Sequence, residues 1–192
     1  MKTLKLETER LLLRTVELSD AAAIYAYRSR PDVGKYQSRH KSPADTRRLI
    51  RAVRKAALGT PGTWHQLVII EKRSGALIGD LGVHFTGKEN RQAELGFTLA
   101  PKWQGKGYAT EALRCLMGHL FRRLRKHRLY ATADPRNTRS VSLMERLGMR
   151  LEAYYKKSFW TGREWADDVL YALLREEWAE PDEKEGVRNF DL

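Results

Sequence analysis

The chain is almost without cysteine, since Cys115 is its single copy. One thiol cannot form an internal disulfide, which argues against a small secreted domain stapled by disulfides. Long apolar runs are also missing: no stretch reaches the length of a membrane span, and Met1 to Lys5 lack the apolar core of a signal peptide. We therefore expect a cytoplasmic protein with no membrane contact.

Metal-binding patterns and acidic residues are both scarce. The histidines are scattered and no cysteine cluster accompanies them, so we expect no metal site. Acidic residues number 24 against 36 lysines and arginines, which gives a net charge of +12. This balance favours anionic partners such as a polyphosphate cofactor or nucleic acid. The basic runs at 47–55 and 122–128 fit solvated helix faces better than a dedicated nucleic-acid patch, although RNA contact stays possible.

The hydrophobic periodicity predicts alternating strands and helices in a chain of 192 residues, enough for one domain with its own core. Short connections make the strands between 66 and 99 an antiparallel meander, whereas a helical crossover implies a parallel, right-handed pairing of 92–99 with 128–133. Ser19 and Ser42 are predicted helix caps. The predicted strands are 8–16, 66–71, 76–85, 92–99, 128–133, 150–160 and 164–174, and the predicted helices are 20–29, 43–58, 109–124 and 138–147.

The most informative segment is Gln104-Gly105-Lys106-Gly107-Tyr108-Ala109, between a predicted strand and a predicted helix. The free N–H groups and positive dipole end at a helix start bind anions, and glycines let a phosphate approach the backbone. An ordinary tight turn is the alternative. A dinucleotide-binding fingerprint needs a further glycine where Thr110 stands, and the Gly-x-x-x-x-Gly-Lys-Ser/Thr loop is absent.

These residues and their neighbours resemble the GNAT superfamily of acyl-CoA-dependent N-acetyltransferases. The family pattern Gln/Arg-x-x-Gly-x-Gly/Ala is met by Gln104, Gly107 and Ala109. Three further segments also resemble the family: Glu94 to Pro101, Thr110 to Leu113, and Asn137 to Ser140 ahead of Glu145 to Met149. The opening Thr8 to Arg14 and the closing Trp160 to Trp178 resemble the branch of ribosomal-protein N-terminal (alanine/serine) acetyltransferases.

The resemblance covers about residues 6–178, which we take as a single N-acetyltransferase domain, followed by a polar, flexible tail at 179–192. It implies an α+β fold: a twisted mixed sheet, mostly antiparallel, with helices on both faces and a cofactor cleft between two splayed parallel strands. The implied cofactor is acetyl-CoA (coenzyme A). Residues implied to bind it are Phe97, Thr98 and Leu99 along the pantetheine arm, Gln104, Gly105, Lys106, Gly107, Tyr108, Ala109 and Thr110 at the pyrophosphate, and Asn137 near the arm.

Acetyl transfer to an amine requires a base that removes a proton from the amine. Glu94 is our candidate, because strand alternation places it with Gly96 and Thr98, opposite the apolar side chains. A solvent-facing carboxylate or a salt-bridge partner is the alternative reading. Asp80 and His84 share a face of the preceding strand and are secondary candidates.

The second candidate catalytic residue is Ser140. Many family members carry a tyrosine acid seven residues after the asparagine, but Met144 occupies that place here and is expected to pack in the core. The resemblance implies that Ser140 instead hydrogen-bonds the sulfur of coenzyme A, with a plain first-turn helix serine as the alternative. Cys115 has no obvious histidine partner, so we expect direct transfer without an acyl-enzyme.

The acceptor is the least specified part of the reaction. The resemblance favours a protein N-terminal amine, on a ribosomal or other basic protein. A small amine such as an aminoglycoside or polyamine is the alternative substrate, and a non-enzymatic acyl-CoA- or RNA-binding protein is the alternative class. Acceptor contacts are expected from loops 33–42, 86–91 and 161–163. The chain is expected to be a monomer or a homodimer, with Trp160 and Trp165 either packed inside or on the dimer surface.

Overall fold

The computed structural model describes residues 3–37, 42–162 and 164–178, and the backbone of 188–189. The helices are α1 (Ala21–Arg28), α2 (Pro43–Val53), α3 (Tyr108–Arg122) and α4 (Thr138–Arg146), and short 3-10 turns cover Leu18–Asp20, Pro101–Trp103 and Arg175–Glu177. The strands are β1 (Lys5–Glu7), β2 (Leu11–Thr15), β3 (Trp64–Glu71), β4 (Ala76–Thr86), β5 (Gln92–Leu99), β6 (Arg128–Ala133), β7 (Arg150–Trp160), β8 (Trp165–Leu174) and β9 (Arg188–Asn189).

The nine strands form one sheet in the order β7-β8-β6-β5-β4-β3-β2-β1-β9. Every neighbouring pair is antiparallel except β5 and β6, which the α3 crossover connects in parallel. The predicted mixed, mostly antiparallel sheet is therefore confirmed. The parallel pair lies near the middle of the sheet, with β8 beside β6 and β4 beside β5.

Helices cover both faces of the sheet, as predicted. Alternation along β3 shows the division, because Val68 packs with α1 and α2 while Leu67 and Ile69 pack in the larger core. That larger core joins the inner face of the sheet to α3 and α4 and includes Phe85, Phe121 and other fully buried side chains. The result is a three-layer arrangement with α1 and α2 on the side to which Glu94 points.

Several predicted boundaries need correction. The strand expected at 8–16 is the shorter β2, and the turn before it, where Thr8 N–H donates to Leu11 O over 2.9 Å, joins it to β1, which was not predicted. The expected cap Ser19 is replaced by Glu17 and Asp20, whose reciprocal hydrogen bonds start the 3-10 turn before α1. The second helix ends at Val53 instead of near residue 58, although its cap is confirmed: Ser42 Oγ accepts from Asp45 N over 3.0 Å.

The predicted flexible tail at 179–192 lies outside the described residues, apart from 188–189. That pair of residues is strand β9, with Arg188 opposite Glu7 and Asn189 opposite Leu6. In the described part of the chain, no helix is both long and apolar enough to cross a membrane.

Candidate active site

The two parallel strands separate towards their carboxyl ends. Their register runs only from Gln92 opposite Arg128 to Glu94 opposite Tyr130, after which β5 continues to Leu99 without pairing to β6. A gap opens between them, lined on one side by the backbone of β5. This confirms the predicted cleft between splayed parallel strands.

Carbonyl groups of β5 line this gap. The Thr98 carbonyl lies beside Gly79 of β4, so strand alternation turns the carbonyls of Phe97 and Leu99 the other way. Phe97 O accepts from Gln37 Nε2 over 3.0 Å, and the Thr98 hydroxyl donates to Gln37 Oε1 over 2.6 Å. The three predicted pantetheine residues thus lie together at the gap. Gln37 was not singled out in the sequence, because nothing in its local pattern reports a contact 60 residues away.

The glycine turn has the geometry of an anion seat. Gly105 and Gly107 have φ of +75° and +81°, and Gly107 is the N-cap residue of α3. Among the described residues, no protein oxygen accepts a hydrogen bond from the N–H groups of 105–110, and a Cβ added at Gly105 would meet nothing within 4 Å. Exposed donors at a helix start beside an open backbone fit the phosphates of coenzyme A.

The side chains of the turn are arranged around Trp103. Lys106 lies with its ammonium 5.3 Å from the Trp103 ring, and Tyr108 meets that ring edge-on at 5.7 Å. Ala109 and Thr110 form the first turn of α3 and are half-buried. The lysine therefore stays on the exposed side of the turn, where it can reach an anion.

Gln104 braces the turn against its neighbours. Its Nε2 donates to Leu99 O over 3.0 Å, and its Oε1 accepts from Arg139 Nη1 over 2.9 Å. The side chain therefore ties the end of β5 to α4. In this chain the glutamine suits the contact, because an amide side chain both donates and accepts hydrogen bonds.

Asn137 and Ser140 lie at the start of α4, at the edge of the same cleft. Asn137 Oδ1 accepts from Ser140 N over 3.4 Å, so the asparagine caps the helix. Both residues, together with Glu94 and Thr98, line a cavity of about 600 Å³. The structure thus brings the two candidate catalytic residues and the cofactor strand to one cavity.

Glu94 faces this cavity from β5. Its Oε2 lies 3.5 Å from His84 Nδ1, and His84 stacks on Trp64 with ring centroids 4.9 Å apart. Glu94 and His84 are half-buried, and 41% of Trp64 is exposed. The carboxylate is therefore accessible from the cavity, with the His84 ring beside it.

Asp80, a secondary candidate base, is fully buried. Burial favours its neutral form, but the ion pair with Arg28 and hydrogen bonds from Tyr27 and Gln66 outweigh that cost, so the pKa of Asp80 lies below its usual value. A carboxylate held by three partners is unsuited to taking a proton from an amine. It instead anchors α1 to the sheet.

Two further expectations concern residues of the core. Burial raises the pKa of Cys115 to about 12, so this thiol stays protonated and is a poor nucleophile. Met144 is fully buried in the larger core, as expected of a packing residue. Neither side chain reaches the cavity.

Asp168 is a titratable group that the sequence did not single out. Burial and the negative charges of Glu94 and Asp134 raise the pKa of Asp168 to about 6. Hydrogen bonds from Val169 N–H and Thr132 lower the pKa, but they do not outweigh this rise. Asp168 and Asp167 are adjacent acids in the sequence, and only the sheet decides which one turns towards Glu94. The negative charges of Glu94, Asp134 and Asp168 thus lie near one another in a basic chain.

The comparisons with known proteins agree with this geometry. The family model described as acetyltransferase (GNAT) domain matches residues 10–150, and the chain therefore belongs to the GNAT acetyltransferase family. It is an acyltransferase whose acyl donor is acetyl-CoA.

Individual relatives extend over most or part of the chain. The protein is 32% identical over 171 residues to the uncharacterized N-acetyltransferase YnaD of Bacillus subtilis (strain 168), across 89% of this chain and 97% of that protein. It is 39% identical over 84 residues, 44% of this chain and 43% of the relative, to the ribosomal protein uS5-alanine N-acetyltransferase of Escherichia coli (strain K12). The structure of Mycobacterium smegmatis RimJ in complex with CoA-disulfide has a TM-score of 0.80 and 26% identity, and covers 93% of this chain and 90% of that one.

Proposed function

We propose that this enzyme transfers the acetyl group of acetyl-CoA directly to a protein N-terminal amine, as on a ribosomal protein. One observation carries the proposal: Glu94 and Ser140 line one cavity, at the point where β5 is no longer paired with β6. The similarity to a ribosomal protein uS5-alanine acetyltransferase supports the acceptor class. A cytoplasmic location remains a prediction, as do RNA contact and a monomeric or homodimeric state.

In this proposal the cofactor lies along the residues that form the gap and the turn. Backbone groups of Phe97, Thr98 and Leu99 hold the pantetheine arm, and N–H groups of the 105–110 turn hold the pyrophosphate. Asn137 lies beside the arm. Gln104 acts by keeping the turn in place, through its bonds to Leu99 and Arg139.

The chemical step needs a neutral amine and a stabilised leaving group. Glu94 removes a proton from the ammonium of the acceptor, directly or through one water, and the amine nitrogen then attacks the thioester carbon. The new C–N bond forms as the C–S bond breaks, and the electron pair leaves on sulfur. The hydroxyl of Ser140 donates a hydrogen bond to that thiolate, while the second amine proton passes to solvent.

An acceptor panel tests the proposal. Release of free thiol from acetyl-CoA is measured with peptides that begin with alanine or serine, with the same peptides blocked at the N-terminus, and with spermidine and kanamycin. We expect thiol release only with free peptide N-termini, and acetylated product by mass spectrometry. Turnover of the small amines alone would replace the proposed acceptor class with the alternative one.

Glu94→Gln tests the proposed base. We expect about a 100-fold or larger fall in kcat, because general-base catalysis contributes about 10²–10⁴-fold, with little change in the affinity for coenzyme A. Glu176→Gln, at an exposed carboxylate of the last 3-10 turn, is the matched control and should keep full activity. Equal turnover of Glu94→Gln and the native enzyme across the pH range would remove Glu94 as the base.

A further inference from the structure

Arg10, the residue before β2, reaches across to the glycine turn. Its Nη1 donates to Lys106 O over 3.2 Å, and its guanidinium lies 4.5 Å from the centre of the Tyr108 ring. A Cβ added at Gly107 would lie 3.3 Å from Arg10 Nη2. The guanidinium therefore covers one side of the glycine turn, although Arg10 is far from the turn in sequence.

Arg10 also pairs with Glu111, an acid in the first turn of α3. Arg10 Nε and Nη2 lie 2.6 and 2.5 Å from Glu111 Oε2. The other carboxylate oxygen accepts from the Arg10 N–H over 3.1 Å and from the Thr8 hydroxyl over 2.5 Å. Four donors from one hairpin thus fix this carboxylate beside the turn.

An acid at this place presents an electrostatic conflict. A negative charge in the first turn of a helix interacts favourably with the helix dipole. The same helix start must also receive the anionic phosphates of coenzyme A, which a neighbouring carboxylate repels. Glu111 N donates to Gly107 O over 3.0 Å, so the acid is within one helical turn of the proposed phosphate seat.

We propose that Arg10 is a positioning residue for coenzyme A, which neutralises Glu111 and so makes the glycine turn able to accept phosphate. This inference rests on the proposed phosphate seat at 105–110. Thr8 and the Arg10 N–H hold the carboxylate in place, and the guanidinium cancels its charge. The β1–β2 hairpin thereby becomes part of the cofactor site without belonging to the motif that defines it.

Arg10→Gln separates the positioning of the Glu111 carboxylate from the neutralisation of its charge. The Thr8 hydroxyl and the residue 10 N–H still hold Glu111, so its charge stays beside the turn without a counter-ion. We expect the dissociation constant of coenzyme A, measured by calorimetry on the full chain, to rise about tenfold at low salt. Because salt screens this repulsion, the difference from the native protein should shrink at about 0.5 M salt.

The double variant Arg10→Gln/Glu111→Gln distinguishes neutralisation from direct contact. If Arg10 acts by cancelling Glu111, removing both charges restores the affinity to within about twofold of the native value. If Arg10 instead binds phosphate itself, the double variant stays as weak as Arg10→Gln. The second result would overturn the inference, as would an Arg10→Gln affinity equal to that of the native chain.

Arg150→Gln is the matched control, since Arg150 begins the edge strand β7 and pairs on the surface with Glu152 and Glu177. It makes the same change in net charge and should leave the affinity for coenzyme A unaltered. Thermal melts of each variant show that the fold is kept. A native chain that binds no coenzyme A would refute the phosphate seat itself, whereas normal binding by both native and Arg10→Gln chains would refute only the inference about Arg10.

Discussion

Alanine in place of Gly79 is expected to destabilise the protein and to disturb the cofactor strand. Gly79 lies opposite Leu99 in the β4–β5 register. A Cβ built there would lie 2.3 Å from the Thr98 carbonyl oxygen, 2.6 Å from Leu99 Cδ2 and 3.1 Å from Leu99 Cα. Two of these three contacts are with backbone, which cannot move aside by a change of rotamer.

The expected magnitude follows from these distances. Atoms in favourable contact are about 3.5–4.0 Å apart, so the strands must move by about 1 Å to admit the methyl group. Overpacking of this kind costs about 1–3 kcal/mol, and we expect about 2 kcal/mol because the obstacle is a paired strand. For a chain of this size that corresponds to a fall of about 4–8 °C in Tm.

Urea unfolding and calorimetric titration with coenzyme A measure the two effects. Gly96→Ala is the matched control, because its added Cβ would meet only Trp64 Cζ3, at 3.8 Å. We expect that control to keep its stability, and Gly79→Ala to lose both stability and affinity as β5 shifts. Equal free energies of unfolding for the two variants would refute the reasoning.

Three further outcomes are expected. Gly107→Trp should abolish binding of coenzyme A in calorimetry, whereas Gly148→Trp, at a similar φ of +80° with nothing near its added Cβ, should bear the same backbone strain and still bind. Asp80→Asn should cost about 3–5 kcal/mol in urea unfolding, because Arg28 keeps a buried charge without its partner. Because the pKa of Asp168 is raised to about 6, its contribution to stability is present below pH 4 and is lost as the pH rises through about 6. Asp168→Asn should therefore leave the free energy of unfolding unaltered at pH 4 and raise it by about 1 kcal/mol at pH 8, after solvent screening.

The elements that determine the cleft could be predicted from sequence because their signals are local. The bounds predicted for β5, β6 and β7 are those of the structure, since alternation and turn residues mark each strand separately. Of the two predicted helix caps, Ser42 is confirmed at α2, whereas Ser19 was wrong because Glu17 and Asp20 form the cap before α1. Several side chains satisfied the capping chemistry there, and packing selected among them.

Contacts between distant segments could not be predicted in the same way. The hydrogen bond of Arg10 N to Glu111 joins residues 101 apart, and that of Gln37 to Phe97 joins residues 60 apart. No spacing in the chain encodes either one. The same holds for Asp80, whose strand face was predicted but whose ion pair with Arg28 depends on where α1 packs.

The sequence by itself determined the family, the two strands of the parallel pair and the glycine turn, because each motif and each strand is marked by residue types within a few positions of one another. The tertiary structure decided how that turn is completed. It placed Gln104 as a brace, turned Asp168 towards Glu94, and brought Arg10 to the acid beside the turn. Charge and hydrogen bonding act through space, so their partners are known only once the sheet has brought its strands together.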